Sequence, residues 1–121
     1  MAVILHVDDS SFSRIQVGKV LKKAGHEVLQ AENGSVALKV LAERQPDLIL
    51  SDILMPDMDG MALLEALCEQ GNKVPVIMLT ADVQHDTKET CLALGARTLL
   101  NKPPREEDLL AALDQALGQG A

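Results

Sequence analysis

Five residues could do chemistry together if the fold brought them to one place: Asp8, Asp9, Asp52, Thr80 and Lys102. Three carboxylates held close repel, which raises a pKa or demands a cation. A hard divalent ion with oxygen ligands meets that demand; magnesium takes one or two carboxylates, keeps several waters and accepts a phosphate oxygen. A carboxylate beside such an ion can attack phosphorus, because the ion draws charge off the phosphoryl oxygens. A lysine ammonium and a threonine hydroxyl are suitable donors to those oxygens. The set therefore suits phosphoryl transfer, which rests mainly on positioning and electrostatics. Zinc chemistry is disfavoured, since His6, His26 and His85 are scattered and neither Cys68 nor Cys91 joins the set.

Each residue alone has an ordinary explanation. An Asp pair after a strand often caps a helix, a job Ser10 could share; a Thr often ends a strand; Lys-Pro opens turns. What sets them apart is where they fall. Met1–Val7 reads as a strand that stops at Asp8-Asp9, and the apolar run Leu48–Leu50 leads into Asp52. Val74–Leu79, with Pro75 near its start, delivers Thr80, and Thr98–Leu100 delivers Lys102. A short run at Val28–Ala31 supplies the remaining strand.

Between these runs the apolar period changes to that of a helix. Val17, Val20, Leu21 and Ala24 precede a stop at Gly25, and Gly34, Ala37, Leu38 and Leu41 repeat the rhythm before Pro46. Gly60, Leu63, Leu64 and Leu67 form a third stripe, and Asp86–Leu94 a fourth segment ending at Gly95. Leu109, Leu110, Leu113, Ala116 and Leu117 line the last helix, opened by Glu106, Glu107 and Asp108 on its dipole and expected to fray from Gly118. Five β-α units in alternation predict an α/β fold: a five-stranded parallel sheet with five helices on both faces. Such sheets place their sites at the carboxyl ends of the strands, where the five polar residues fall.

The 121 residues are 47% hydrophobic without low-complexity tracts, which predicts one ordered domain over 1–121. No apolar run is long enough to cross a membrane and no secretion signal is apparent, so membrane insertion is not expected and a cytoplasmic location is. A net charge of −7 and a single aromatic residue, Phe12, argue against direct nucleic-acid binding. Cys68 and Cys91 read as reduced thiols packed in helices.

The segments Val7-Asp8-Asp9-Ser10, Ser51-Asp52 through Met55-Pro56-Asp57-Met58-Asp59-Gly60, Leu79-Thr80-Ala81 and Lys102-Pro103 resemble those of two-component response-regulator receiver domains. The resemblance spans essentially the whole chain and is strongest to the stand-alone, chemotaxis-type regulators. It implies a flavodoxin-like sheet of order 2-1-3-4-5 and Asp52 as phosphoacceptor. It also implies Mg2+ (or Mn2+) held by Asp9, Asp52 and the backbone carbonyl of Leu54, with Asp8 acting through water. Thr80, beside Ala81, would follow the phosphoryl group as the switch; Lys102 would pair with that group, and the peptide bond before Pro103 would be cis. The expected partners are a histidine kinase or histidine phosphotransfer protein as donor and a downstream target protein, with slow self-dephosphorylation as a timer.

Two departures from the family pattern bear on the switch. Leu99 stands where many members carry a Tyr or Phe that moves with the threonine, and Pro104 stands where a Phe is frequent. Leu54 and Asp82 occupy positions that tune dephosphorylation in the family. Phe12, Ile15 and Lys19 lie off the apolar face of the first helix, so Phe12 and Ile15 either dock a phosphodonor or tuck against a loop. Met55, Met58 and Met61 read as packing. The rival functions are a phosphorylation-independent pseudo-receiver and an aspartyl-phosphate phosphatase. Leu54, standing where such a hydrolase generally carries its second acid, opposes the latter. A flavodoxin-like cofactor site is opposed by Asp8 and Asp9, which would repel a phosphate after the first strand.

Overall fold

The fold comes from a computed structural model that describes residues 2–53, 59–81 and 85–119, without the side chains of 85–87 and 119. Leu54, Met55, Met58 and Asp82 therefore lie outside the described residues. Strands β1 (Val3–Val7), β2 (Glu27–Ala31), β3 (Leu48–Asp52), β4 (Val76–Thr80) and β5 (Thr98–Asn101) alternate with helices. The helices are α1 (Ser11–Lys23), α2 (Gly34–Glu43), α3 (Gly60–Glu69), α4 (His85–Ala93) and α5 (Glu106–Gln119). All strand pairs are parallel and their order is β2-β1-β3-β4-β5, as the family resemblance implied.

The two-residue period of the strands sorts their side chains into two cores. Leu5, Val7, Ile49, Val76 and Met78 face α2, α3 and α4, where Ala37, Leu63, Leu67 and Cys91 meet them. Ile4, Leu48, Leu50, Ile77 and Leu79 face α1 and α5, packing on Val17, Leu21, Leu109 and Leu113. β3 and β4 are buried along their whole length, which is why they read as unbroken apolar runs. Each fully buried Leu or Ile contributes roughly 1.5–3 kcal/mol of transfer free energy, and the central strands hold most of them.

The helices start where the polar sequence offers a cap. Ser10 Oγ accepts from the Ser13 N–H, Asn33 Oδ1 from Val36 and Asp59 Oδ1 from Ala62. Gly25 (φ 91°) and Gly95 (φ 107°) end α1 and α4 in the left-handed region.

Two expectations change and one open alternative is decided. Gly118 does not fray: α5 carries through it to Gln119. Cys68 is exposed on α3 rather than packed, whereas Cys91 is buried with its Sγ 3.2 Å from Met61 Sδ. Phe12 does not tuck against a loop; it is 68% exposed and Ile15 55%. Met61 does pack against the core, as read.

Candidate functional site

Every strand that supplies a site residue ends at the same edge of the sheet. Val7 pairs with Ser51 and Asp52 with Leu79, while Thr80 pairs with Asn101, so the residues that follow these positions converge. Backbone bonds carry the ladder past the last strand residues: Asp8 N–H donates to the Ala31 carbonyl, Ile53 N–H to Leu79, and Lys102 N–H to Thr80 at 2.8 Å. Gly60 lets α3 approach closely behind Asp52. A Cβ there would stand 2.2 Å from the Asp52 carbonyl oxygen and 2.7 Å from Met78 Cε.

Asp8, Asp9 and Asp52 each bring a carboxylate oxygen within 4.8 Å of the others. Asp8 and Asp52 are buried and Asp9 is exposed, so the cluster opens to solvent on one side. Lys102 Nζ reaches both buried acids, donating to Asp52 Oδ2 at 2.7 Å and to Asp8 Oδ1 at 3.1 Å. It also lies 3.0 Å from Asp8 Oδ2, though not in hydrogen-bonding geometry, and that buried oxygen accepts no hydrogen bond among the described residues. Thr80 is buried at the end of β4, Ala81 is exposed beside it, and the Lys102–Pro103 peptide is cis, as expected.

The buried groups pull one another's proton affinities apart. Burial pushes Asp52 above the ordinary carboxylate value; the Lys102 ammonium opposes this and the Asp8 charge adds to it. Burial acts the same way on Asp8, but hydrogen bonds from the Ser10 N–H, Ser13 and Lys102 outweigh it and leave that acid low. Burial works against the charged Lys102, yet its bonds to Asp52 and Asp8 keep its pKa above the usual lysine value. The arrangement is therefore one low acid, one raised acid and a firmly charged ammonium between them.

Two further residues belong here that the sequence reading did not place. His6 is fully buried with its Nε2 3.8 Å from Asp8 Oδ2, so a histidine does border the acids after all. Strand periodicity carried that signal, since residues i and i+2 share a face. Burial lowers His6 to about 4, which keeps the ring neutral; its two nitrogens have no hydrogen-bond partner among the described residues. Arg14, from the first turns of α1, donates to the Asp8 carbonyl and ties helix to strand end. No spacing rule announces that contact.

The donor set fits a hard divalent cation: all-oxygen ligands from three acids, one of them exposed, with a buried Asp8 oxygen that accepts no hydrogen bond among the described residues. Leu54, expected to add a carbonyl, lies outside the described residues.

Comparison with known proteins agrees with this geometry. The Response regulator receiver domain family matches residues 4–114. Protein PilH of Pseudomonas aeruginosa is 37% identical over 119 residues, covering 97% of this chain and 98% of that protein. The solved structure of the Vibrio cholerae chemotaxis protein CheY4 superposes with a TM-score of 0.90 at 37% identity, covering 96% of this chain and 98% of the other. A second solved structure, the CheX-CheY-BeF3-Mg+2 complex from Borrelia burgdorferi, gives a TM-score of 0.89 at 28% identity over 93% of this chain and 87% of that one. The chain belongs to the response regulator receiver domains of two-component signalling.

Proposed function

We propose that this chain is a single receiver domain over 1–121, switched by phosphorylation of Asp52. A histidine kinase or histidine phosphotransfer protein supplies the phosphoryl group, and binding to a downstream target protein changes in response. The observation that carries the reading is the placement of Lys102 Nζ, 2.7 Å from Asp52 Oδ2 and bonded to Asp8 as well. An ammonium held at the nucleophile stands ready for the charge of an incoming phosphoryl group.

Asp8, Asp9 and Asp52 would hold Mg2+ (or Mn2+), with the Leu54 carbonyl as a further ligand. When bound, the ion offsets the three carboxylates and draws charge from the phosphoryl oxygens. Asp52 is the nucleophile: its carboxylate oxygen bonds to phosphorus as the donor's histidine nitrogen leaves with the bonding pair. Lys102 then turns from the carboxylates toward the phosphoryl oxygens, and the Thr80 hydroxyl donates to them from the end of β4. Leu99 is buried in the core against α4, so an aromatic rotamer cannot report the change. The switch is therefore read through the displacement of Thr80 and the backbone around Ala81. Phe12 and Ile15 form the docking edge for the donor. Slow self-dephosphorylation would make the phosphorylated state a signalling timer rather than a step in turnover. Among the described residues no helix is long and apolar enough to cross a membrane, and we assign a cytoplasmic role without direct nucleic-acid contact.

Beryllofluoride with Mg2+ mimics the phosphoryl group by bonding to the Asp52 carboxylate oxygen through beryllium, without phosphoryl transfer. It is expected to raise the Tm of the wild type and leave Asp52→Asn unmoved. No shift in either protein would favour the phosphorylation-independent pseudo-receiver.

A further inference from the structure

Two buried side chains at the end of β1 carry hydrogen-bonding atoms that the resting site does not use. His6 and Asp8 are both 0% exposed, and both imidazole nitrogens and Asp8 Oδ2 make no hydrogen bond among the described residues. Two apart along an extended chain, the side chains share one face of the sheet. Ile4 and the strand-paired Leu50 flank His6 on that face and belong to the core under α1 and α5. A buried polar atom without a partner is costly and uncommon. Two of the three, His6 Nε2 and Asp8 Oδ2, stand 3.8 Å apart.

Asp8 is held unevenly. Its Oδ1 accepts from the Ser10 N–H at 2.9 Å and from Lys102 Nζ at 3.1 Å. Its Oδ2 has only the Lys102 charge, 3.0 Å away in poor geometry. A carboxylate pinned at one oxygen can turn about its Cβ–Cγ bond, and in the resting protein the ammonium beside both oxygens resists this. Once Lys102 turns to the phosphoryl oxygens, Oδ2 loses that restraint. The His6 ring is then next in reach. A carboxylate only accepts, so the ring nitrogen facing it carries the proton. Closing by about 1 Å brings Nε2 within the ordinary hydrogen-bond range of roughly 2.7–3.2 Å.

We propose that His6 is a positioning residue of the switch: its Nε2–H takes over Asp8 Oδ2 when Lys102 leaves, and so keeps the carboxylate oriented for the cation site. A neutral donor suits this exchange, because a second fixed positive charge would oppose a divalent ion. The proposal rests on the reading that Lys102 moves to the phosphoryl group, so one arm of the test removes the ammonium without any phosphoryl mimic.

Imidazole 15N NMR reads the ring directly, with the His6 signals assigned by their loss in His6→Gln. The wild type alone is expected to show the Nε2–H tautomer without a hydrogen-bonded proton. Beryllofluoride with Mg2+ should move that proton downfield, and Lys102→Met should show the same shift with nothing added. In calorimetric titrations His6→Val should bind beryllofluoride with Mg2+ about tenfold more weakly than the wild type, as for one hydrogen bond to a charged group, but Mg2+ alone within about twofold. His6→Gln, which sets an N–H near the position of Nε2, should recover most of that loss. Any of three results would overturn the proposal: a proton on Nδ1; an Nε2–H signal unmoved across the three samples, as a bridging buried water would give; or equal weakening of both titrations. Failure of beryllofluoride to bind the wild type would instead count against the phosphoacceptor reading, and the Lys102→Met spectrum would then decide the role of His6.

Discussion

Lys102 holds two buried carboxylates at once, and its removal should expose what they cost. Lys102→Met leaves Asp8 and Asp52 without their ammonium and should destabilise the metal-free protein by about 1–3 kcal/mol in urea unfolding. Mg2+ should then stabilise the variant more than the wild type; a loss that Mg2+ does not reduce would contradict the cation site. His6 gives the pH dependence. Its folded value of about 4 lies below the ordinary 6.5, so the unfolded chain takes up a proton that the folded chain refuses. Stability on this account is full above about pH 6.5 and falls as pH drops toward 4, by on the order of 3 kcal/mol. His6→Val should stay within about 1 kcal/mol of wild type at neutral pH and resist acid better, measured in a chelator. Equal acid sensitivity would mean that other groups dominate. The His6–Asp8 contact was legible from strand alternation, but the double engagement of Lys102 and the reach of Arg14 to the Asp8 carbonyl were not. Both join segments distant in sequence or depend on side-chain conformations that no spacing encodes.

The elements were easier to read than their ends. Buried strands wrote themselves as the apolar runs Leu48–Leu50 and Val74–Leu79 because helices cover both faces, and the polar residue at each run's end followed from leaving that cover. Gly118 misled because a glycine near a helix end usually stops it, whereas here α5 runs through it. Cys68 misled because a helix with apolar stripes leaves single apolar positions outside, and periodicity alone does not say which. Gly60 belongs to this scale: its missing side chain is what allows α3 to sit against the Asp52 carbonyl. Gly60→Ala should therefore cost about 2–3 kcal/mol in equilibrium unfolding, since backbone and Met78 must both move. A variant as stable as wild type would show that α3 shifts freely and that the position of Asp52 is not set by this contact.

At the scale of the whole molecule, one edge of the sheet gathers the acids and Lys102, and the proposed donor contact lies on the neighbouring exposed face of α1. The exposed Phe12 and Ile15 begin α1 immediately after the acids, so docking and chemistry are separable by mutation. Ile15→Asp should reduce transfer from a protein phosphodonor by at least about tenfold while leaving small-molecule labelling unchanged; a fall in both would mean that the site itself was disturbed. The alternation of strand and helix made the fold class and the shared edge legible in the sequence. The surfaces were not, because exposure depends on which helix face the sheet leaves uncovered. The most direct measurement is intact mass after incubation with Mg2+ and a small-molecule phosphodonor, for wild type and Asp52→Asn. One added phosphoryl group in the wild type alone is the predicted result; equal labelling of both proteins would contradict the assignment of Asp52.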